Sequence, residues 1–148
     1  MPIAFDTATG VNSANGVSSL TYSHTCTGND RVLLVNVTVR DTTTTVSGVT
    51  YGGVAMTAHS SNPQATATAG EGRRNSLFIL VAPASGANDV VVSLGASTNL
   101  YSRSASYTGC AQTGQPDSSG ANTANDVTTL TLTQTIVAAN SWLVGYFD

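Results

Sequence analysis

The chain has 148 residues and a formal net charge of −3, and only 9% of its residues are charged, against roughly 25% in ordinary soluble proteins. This length suits one domain with one hydrophobic core, and a hydrophobic fraction of 41% with so little net charge excludes a disordered chain. The basic residues are all arginines and are scattered apart from one adjacent pair, which argues against nucleic acid as a partner, and the apolar runs are too short to span a membrane.

The first third of the chain predicts two hairpins. Residues 1–17 are expected to form an N-terminal arm with a first short strand. Alternating apolar and hydroxyl side chains from Ser18 to Cys26 predict a half-buried strand, and the turn at Thr27–Asp30 leads into an apolar strand from Leu33 to Val39. The paired glycines Gly52–Gly53 then predict the tight turn of a second hairpin.

The middle of the chain predicts two long loops around three strands. Residues 61–75 are expected to form an exposed loop before the run Ser76–Pro83, which is apolar on both faces and predicts a central strand. Asp89–Leu94 and Leu100–Tyr107 predict a further strand pair. Residues 108–127 lack any periodic pattern, and loops of this length are often functional.

The end of the chain predicts two more strands, from Asp126 to Thr135 and from Ser141 to Phe147. The segment starting at Thr129 also aligns without a gap to the segment starting at Ser19. Either two hairpins with equal turns look alike by chance, or the two segments share a structural role. With about ten short strands and no helix, residues 1–148 predict a single all-β domain, an antiparallel β-sandwich of the jelly-roll type.

Few residues offer catalytic or metal chemistry. His24 lies on the apolar face of its strand, where a hydrogen-bonded core histidine is expected, and His59 is expected at the surface. There is no G-x-S-x-G elbow, and the histidines and cysteines lack the close spacing of a zinc site. The acidic loop at Asp117–Asp126 departs from calcium-loop spacing. We therefore expect no enzyme, no metal and no cofactor.

Two cysteines and one tryptophan call for structural interpretations. Cys26 and Cys110 lie at strand ends, and either a disulfide between them or two separate thiols fits the sequence. Trp142 lies inside the apolar run SWLVGYF, where a role in the core is expected.

The predicted interface residues fall into two groups. Tyr101, Arg103 and Tyr107 alternate along one strand and therefore share a face, which predicts an interface. Arg73 and Arg74 follow one another in the first long loop, where they either contact an acidic partner or remain solvated.

Several segments, taken in order, resemble a family of β-sandwich domains from phages and environmental bacteria that is often linked to virion surfaces. These segments are GNDRVLLVNVTV, SGVTYGGVAMT, NSLFILVAPASGANDVVVSL, ASYTGCAQTGQPDSS and ANSWLVG. They describe strands and turns, so the resemblance implies the fold more specifically than an activity. Family members continue past the SWLVG strand with another hairpin and a closing strand, which implies that a neighbouring subunit supplies a sheet edge here.

The expected function is that of a bacteriophage virion structural protein, a capsid decoration or cement protein that binds the major capsid protein and stabilises the head. The neutral, hydroxyl-rich composition and the absence of a signal-peptide pattern in MPIAFDTATG support it. The hypothesis places the protein on the capsid surface, extracellular after lysis, as a homo-oligomer with a trimer favoured. The alternative is a carbohydrate-binding or adhesin-like domain of a tail fibre or cell-surface protein, with a glycan as ligand.

Overall fold

The structure, a computed structural model, describes residues 2–59, 64–68, 71–124 and 128–146, and its regular elements there are all β-strands. Every strand pairing is antiparallel. The strands are β1 (Ala4–Cys26), β2 (Val32–Val39), β3 (Val46–Tyr51), β4 (Val54–Ala55), β5 (Thr57–Ala58), β6 (Gln64–Thr68), β7 (Glu71–Val81) and β8 (Gly86–Thr108). The predicted all-β, antiparallel class is confirmed. No helix within these ranges is long and apolar enough to cross a membrane.

Two long strands, β1 and β8, form the frame of the fold. Each contains 23 residues, and they pair along almost their whole length, with register shifts between Phe5 and Ser19 of β1. The first part of β8 also pairs with β3, and its last part, from Leu100 to Tyr107, pairs with β2. Because irregular pairing bends a strand and increases its twist, the β1–β8 ribbon carries the sheet from β3 round to β2.

The remaining strands bring the two margins of the sheet together. Along the sheet the order is β4-β3-β8-β2-β7-β5, with β1 beside β8 and β6 beside β7. The turn at Gly52–Gly53 has positive φ angles at both glycines and joins β3 to β4, as predicted. Only Met56 separates β4 from β5, which pairs with β7 at the far margin. The sheet is therefore nearly closed, in a barrel-like form.

The core lies inside this curved sheet and follows the period-2 pattern of the sequence. The predicted inward face of β2 is confirmed, since Leu33, Val35, Val37 and Val39 are all buried. Burying each such side chain stabilises the fold by about 1.5–3 kcal/mol. Other strands add apolar side chains to the same cluster, which includes Tyr22, Cys26, Val49, Tyr51, Met56, Phe78, Val90, Val92, Leu94 and Leu100.

Two predicted boundaries were wrong in the first half of the chain, and the predicted strand count is not confirmed. The N-terminal arm with a short strand is instead part of β1, because β8 offers a pairing partner from Ala4 onward. The predicted loop over 61–75 contains β6 and the start of β7, since β2 needs a partner opposite Val37–Val39; residues 60–63 and 69–70 lie outside the described residues. The described residues form eight strands where about ten were predicted.

The last third of the chain departs most from expectation. No strand follows Thr108 in the described residues, so the prediction of strands in the final segment was wrong for residues 128–146. A strand exists only where another strand bonds its backbone, and this segment pairs with no sheet edge in the described part of the chain. The predicted second loop is observed over 109–124, while residues 125–127 are outside the described ranges.

Candidate functional site

The predicted face of β8 is present on the outside of the sheet. Tyr101, Arg103 and Tyr107 are all half-buried and alternate with serines that point into the core. β2 lies beside them, with Thr38 opposite Tyr101 and Asn36 opposite Arg103. The shared face predicted from the sequence is therefore what the structure shows, and it lies in the middle of the sheet between β1 and β2.

Three aromatic rings form a row at the end of this face. The ring of Tyr107 meets the edge of Phe5 on one side and of Trp142 on the other, with 6.1 Å between centroids in each pair. Phe5 is 56% exposed and Trp142 is 52% exposed. The expectation of a core tryptophan was wrong, because no strand among the described residues pairs with the run around Trp142 and buries it. We call Phe5, Tyr107 and Trp142 the aromatic row.

The segment that carries Trp142 is the most apolar exposed part of the described chain. We call residues 128–146 the apolar tail. Six of its large apolar side chains have between 48% and 73% of their surface exposed: Leu130, Leu132, Ile136, Val137, Trp142 and Leu143. Soluble monomers rarely expose contiguous apolar surface on this scale unless it binds a partner.

The apolar tail is held by side chains and not by a backbone ladder. Asn122 Nδ2 donates to the carbonyl of Thr131 at 2.6 Å, the side-chain amide of Gln134 donates to Ser118, and the Ser141 hydroxyl donates to Asp117 at 3.1 Å. Among the described residues, no backbone–backbone bond joins the tail to the sheet. The tail therefore has main-chain donors and acceptors that are available to a partner strand.

One buried polar group in the tail lacks a hydrogen-bond partner in the described part of the chain. The hydroxyl of Tyr146 is buried and has no hydrogen-bond partner among the described residues. Burial, with a smaller contribution from Tyr107, raises the pKa of Tyr146 well above its usual range. An unpaired buried hydroxyl costs stability, so this arrangement of the tail leaves an interaction unmade.

The arginine pair lies apart from the face of β8 that carries Tyr101, Arg103 and Tyr107. Arg73 and Arg74 lie on β7, and β2 separates that strand from β8. Arg74 Nη1 donates to the carbonyls of Thr42 at 3.3 Å and Thr43 at 3.0 Å, so it braces the loop before β3. A cleft of about 480 Å³ lies beside Arg74, with Met56 among its lining residues. The proposed contact with an acidic partner stays a prediction for Arg73 and Arg74.

The braced loop contains a strongly ordered carboxylate. Asp41 Oδ1 accepts hydrogen bonds from the backbone amides of Thr43 at 2.8 Å and Thr44 at 2.5 Å. Partial burial alone would raise the pKa of Asp41, but the bonds from Thr44 and Thr43 outweigh it and lower the pKa to about 2. Its role is to shape the loop, since its oxygen is occupied by the loop's own amides.

His24, the strongest catalytic candidate by residue type, is buried in a polar network. Its Nδ1 lies 2.8 Å from the Thr9 hydroxyl and 2.9 Å from Ser104, and its Nε2 lies 3.1 Å from Ser106. Ser106 in turn donates to Asp6 Oδ2 at 2.8 Å. Because the Ser106 proton is directed to Asp6, its oxygen accepts from Nε2–H, and the neutral ring accepts at Nδ1. Sequence reasoning anticipated the core histidine but missed its partners.

This network has the groups of a hydrolase but not their geometry. In a catalytic triad the carboxylate bonds the imidazole, whereas Asp6 bonds Ser106. His24 is 1% exposed, and the two serines bonded to it are buried, so their hydroxyls are shielded from solvent. Burial lowers the pKa of His24, with Asp6 partly opposing the shift. The network therefore ties β1 to β8.

The cysteines are both free thiols in the structure. Cys26 is buried in the core, and Cys110 is half-buried, with its sulfur 3.8 Å from the carbonyl of Thr108. Burial raises the pKa of both thiols. Of the two interpretations left open by the sequence, the structure contains the one with separate thiols.

Neither a metal site nor a known relative was found for this chain among the described residues and the proteins compared. No group of three or more His, Cys, Asp or Glu side chains that suits a metal ion occurs among the residues that the structure describes. No protein-family model matches the chain, and neither a curated protein nor a solved structure matches it.

Proposed function

We propose that this chain is a structural protein of a bacteriophage virion, a capsid decoration or cement protein that binds the major capsid protein and stabilises the head. The observation that carries the proposal is the apolar tail, whose six large side chains are about half exposed or more. Such a surface suits an assembling protein, because it becomes buried when a partner covers it.

The composition of the chain supports the same proposal. Only 9% of its residues are charged, and its strands are rich in Thr, Ser and Asn. Two of its titratable groups, His24 and Asp41, are bonded within the fold. The proposal therefore assigns the chain binding and assembly, with no catalytic step and no cofactor.

The assembled form that we propose is a homo-oligomer, with a trimer favoured, on the outer face of the shell. In that form the apolar tail would form the further strands that were predicted beyond the eight described ones. The barrel-like sheet would then become a jelly-roll-like β-sandwich. The protein would reach the extracellular space when the host cell lyses. A closed symmetric arrangement would also cover the open edges of the sheet.

Copy number in purified particles tests this proposal. We expect particles banded from a lysate of the cells that carry the gene to contain the protein in a copy number comparable with that of the major capsid protein. Quantitative mass spectrometry with labelled standard peptides measures the ratio. Particles that lack the protein would contradict the proposal. A handful of copies per particle would also contradict it and would assign the protein to a tail fibre instead.

The aromatic row favours a second candidate, a glycan-binding domain of a tail fibre or adhesin. Exposed aromatic rings are the usual platforms for sugar rings, and Phe5 and Trp142 are both more than half exposed. A glycan array tests this candidate. Binding that disappears in Trp142→Ala and Tyr107→Ala, and persists in Tyr101→Ala, would replace decoration by glycan recognition.

A further inference from the structure

The apolar tail has the pattern of a half-buried strand without the environment of one. From Thr129 to Ile136, threonines occupy every odd position, while Leu130, Leu132 and Ile136 fall on even positions. The last eight residues of β1, Ser19 to Cys26, show the same alternation and align with this stretch. There the matching face is inside, with Tyr22, His24 and Cys26 all buried.

The same pattern therefore has two different environments in one chain. In β1 the alternating face packs into the core, and the backbone pairs with β8 from Ser19 to Cys26. In the tail, Leu130, Leu132 and Ile136 are about half exposed, and no strand is present in the described residues. The tail needs a sheet edge to adopt the structure that its sequence specifies.

The sheet offers such an edge along β1. In the described part of the chain β1 pairs as a strand with β8 alone. Its other side therefore presents N–H and C=O groups that lack a strand partner, although the carbonyl of Ser23 accepts a hydrogen bond from the Thr9 hydroxyl at 3.4 Å. The stretch Ser19–Cys26 has no register shift after Ser19 and no Asp, Glu, Lys or Arg. Natural edges are usually protected by bulges, charges or proline, and this stretch has none of these.

The edge and the tail match in length and in charge. Ser19–Cys26 and Thr129–Ile136 each span eight residues, and residues 128–146 carry no charged side chain. A chain with a net charge of −3 repels its own copies weakly, but here two uncharged surfaces would meet. Each copy also offers both complementary elements at once, so that an exchange passed around a ring of copies closes on itself.

We propose that residues Thr129–Ile136 of one copy add as a β-strand to the free edge of β1, at Ser19–Cys26, of a second copy. This inference rests on the proposed function, in which the apolar tail is an assembly surface, and it names the partner of that surface. Main-chain hydrogen bonds supply the pairing, as in other cases of strand addition. The partner is this chain itself, and pairing of the tail with its own β1 is the competing outcome that the experiment separates.

A proline in the tail tests the exchange in the full chain. Thr131→Pro removes one backbone N–H and blocks pairing on that side, while it keeps the carbonyl that accepts from Asn122. Thr131→Ala is the matched control, since it removes the same side chain and keeps the N–H. Light scattering after size exclusion gives the mass relative to the 15.0 kDa of one chain.

We expect the wild type and Thr131→Ala to have a mass of several chains and Thr131→Pro to fall to the mass of one. Amides of β1 between Ser19 and Cys26 should exchange hydrogen more slowly in the oligomer than in the proline variant. A wild type with the mass of one chain at every concentration would overturn the proposal. Equal masses for the two variants, or equal exchange in β1, would overturn it as well.

The result can be separated from that of the decoration proposal. A single-chain protein that still coats particles would overturn strand exchange and leave decoration in place. An exchanged oligomer that is absent from particles would do the reverse.

Discussion

Replacing His24 by leucine is expected to lower the free energy of unfolding by about 2–3 kcal/mol at neutral pH, because it leaves buried hydroxyls without a partner. Ser104 loses its bond to Nδ1 and Ser106 loses its bond to Nε2, although Ser106 keeps its bond to Asp6. The side chain is fully enclosed, so water cannot replace either bond. Urea unfolding followed by far-ultraviolet circular dichroism, which reports the β-sheet, measures the loss.

A double-mutant cycle is the control for this prediction. Ser104→Ala alone should cost about 1 kcal/mol, and adding it to His24→Leu should cost little more, because the hydroxyl is already unpaired. Strict additivity of the two changes would contradict the network, and so would a loss below about 0.5 kcal/mol for His24→Leu.

The pH dependence of stability should report the same residue. The pKa of His24 is lowered by burial from its ordinary 6.5. As the pH falls below 6.5 towards the folded value, the unfolded chain takes up a proton and the folded chain does not, so stability falls. His24→Leu should flatten this part of the profile. The loss at lower pH should remain, since Asp6 has a lowered pKa and is protonated only there.

Replacing Trp142 and Leu143 together by serine is expected to weaken assembly by roughly thirtyfold or more, because exposed aromatic and apolar side chains at the centre of an interface dominate its binding energy. The single chain should be hardly destabilised, since Leu143 is 73% exposed and Trp142 packs only against Tyr107 among the described rings. Sedimentation equilibrium measures the association, and the midpoint of thermal unfolding measures the stability.

Two exposed valines outside the tail provide the matched control. Val11 and Val54 are 57% and 55% exposed and lie on β1 and β4. Val11→Ser with Val54→Ser should leave assembly unchanged. Equal losses in both double variants would mean that general surface hydrophobicity drives association, and an unchanged tail variant would remove the tail from the interface.

The parts of the fold that the sequence predicted are those with a local cause. The period-2 pattern identified the inward face from Leu33 to Val39 and the outward face of Tyr101 and Tyr107, and Gly52–Gly53 identified a turn. Side-chain alternation and positive φ at glycine act within a few residues, so both can be recognised in a single sequence.

The parts that were missed have a cause elsewhere in the chain. β1 begins at Ala4 in spite of Gly10 and Gly16, because β8 pairs with it from a hundred residues away in sequence. The bond between His24 and Ser106 joins positions 82 residues apart. Ser102, Ser104 and Ser106 did form a regular polar face opposite two tyrosines, and that alternation was the one available signal for a polar core network.

In the apolar tail, the alternating pattern predicted a strand that the structure does not contain. Its alternation from Thr129 to Ile136 predicts a strand, yet no strand forms there, because a strand also requires an edge to pair with. The alternating pattern makes the segment suitable as a β-strand, but the strand forms only when a partner edge is present. An assembled particle or oligomer is where this segment is expected to become a strand.

Amide hydrogen exchange in the apolar tail, measured in dilute single chains and in the assembled protein, tests the central claim most directly. We expect the amides from Thr129 to Ile136 to exchange at nearly unprotected rates in the single chain, because no backbone ladder protects them. On assembly they should become protected at alternate positions. Strong protection in the single chain, or no change on assembly, would contradict the claim that the tail is an assembly surface.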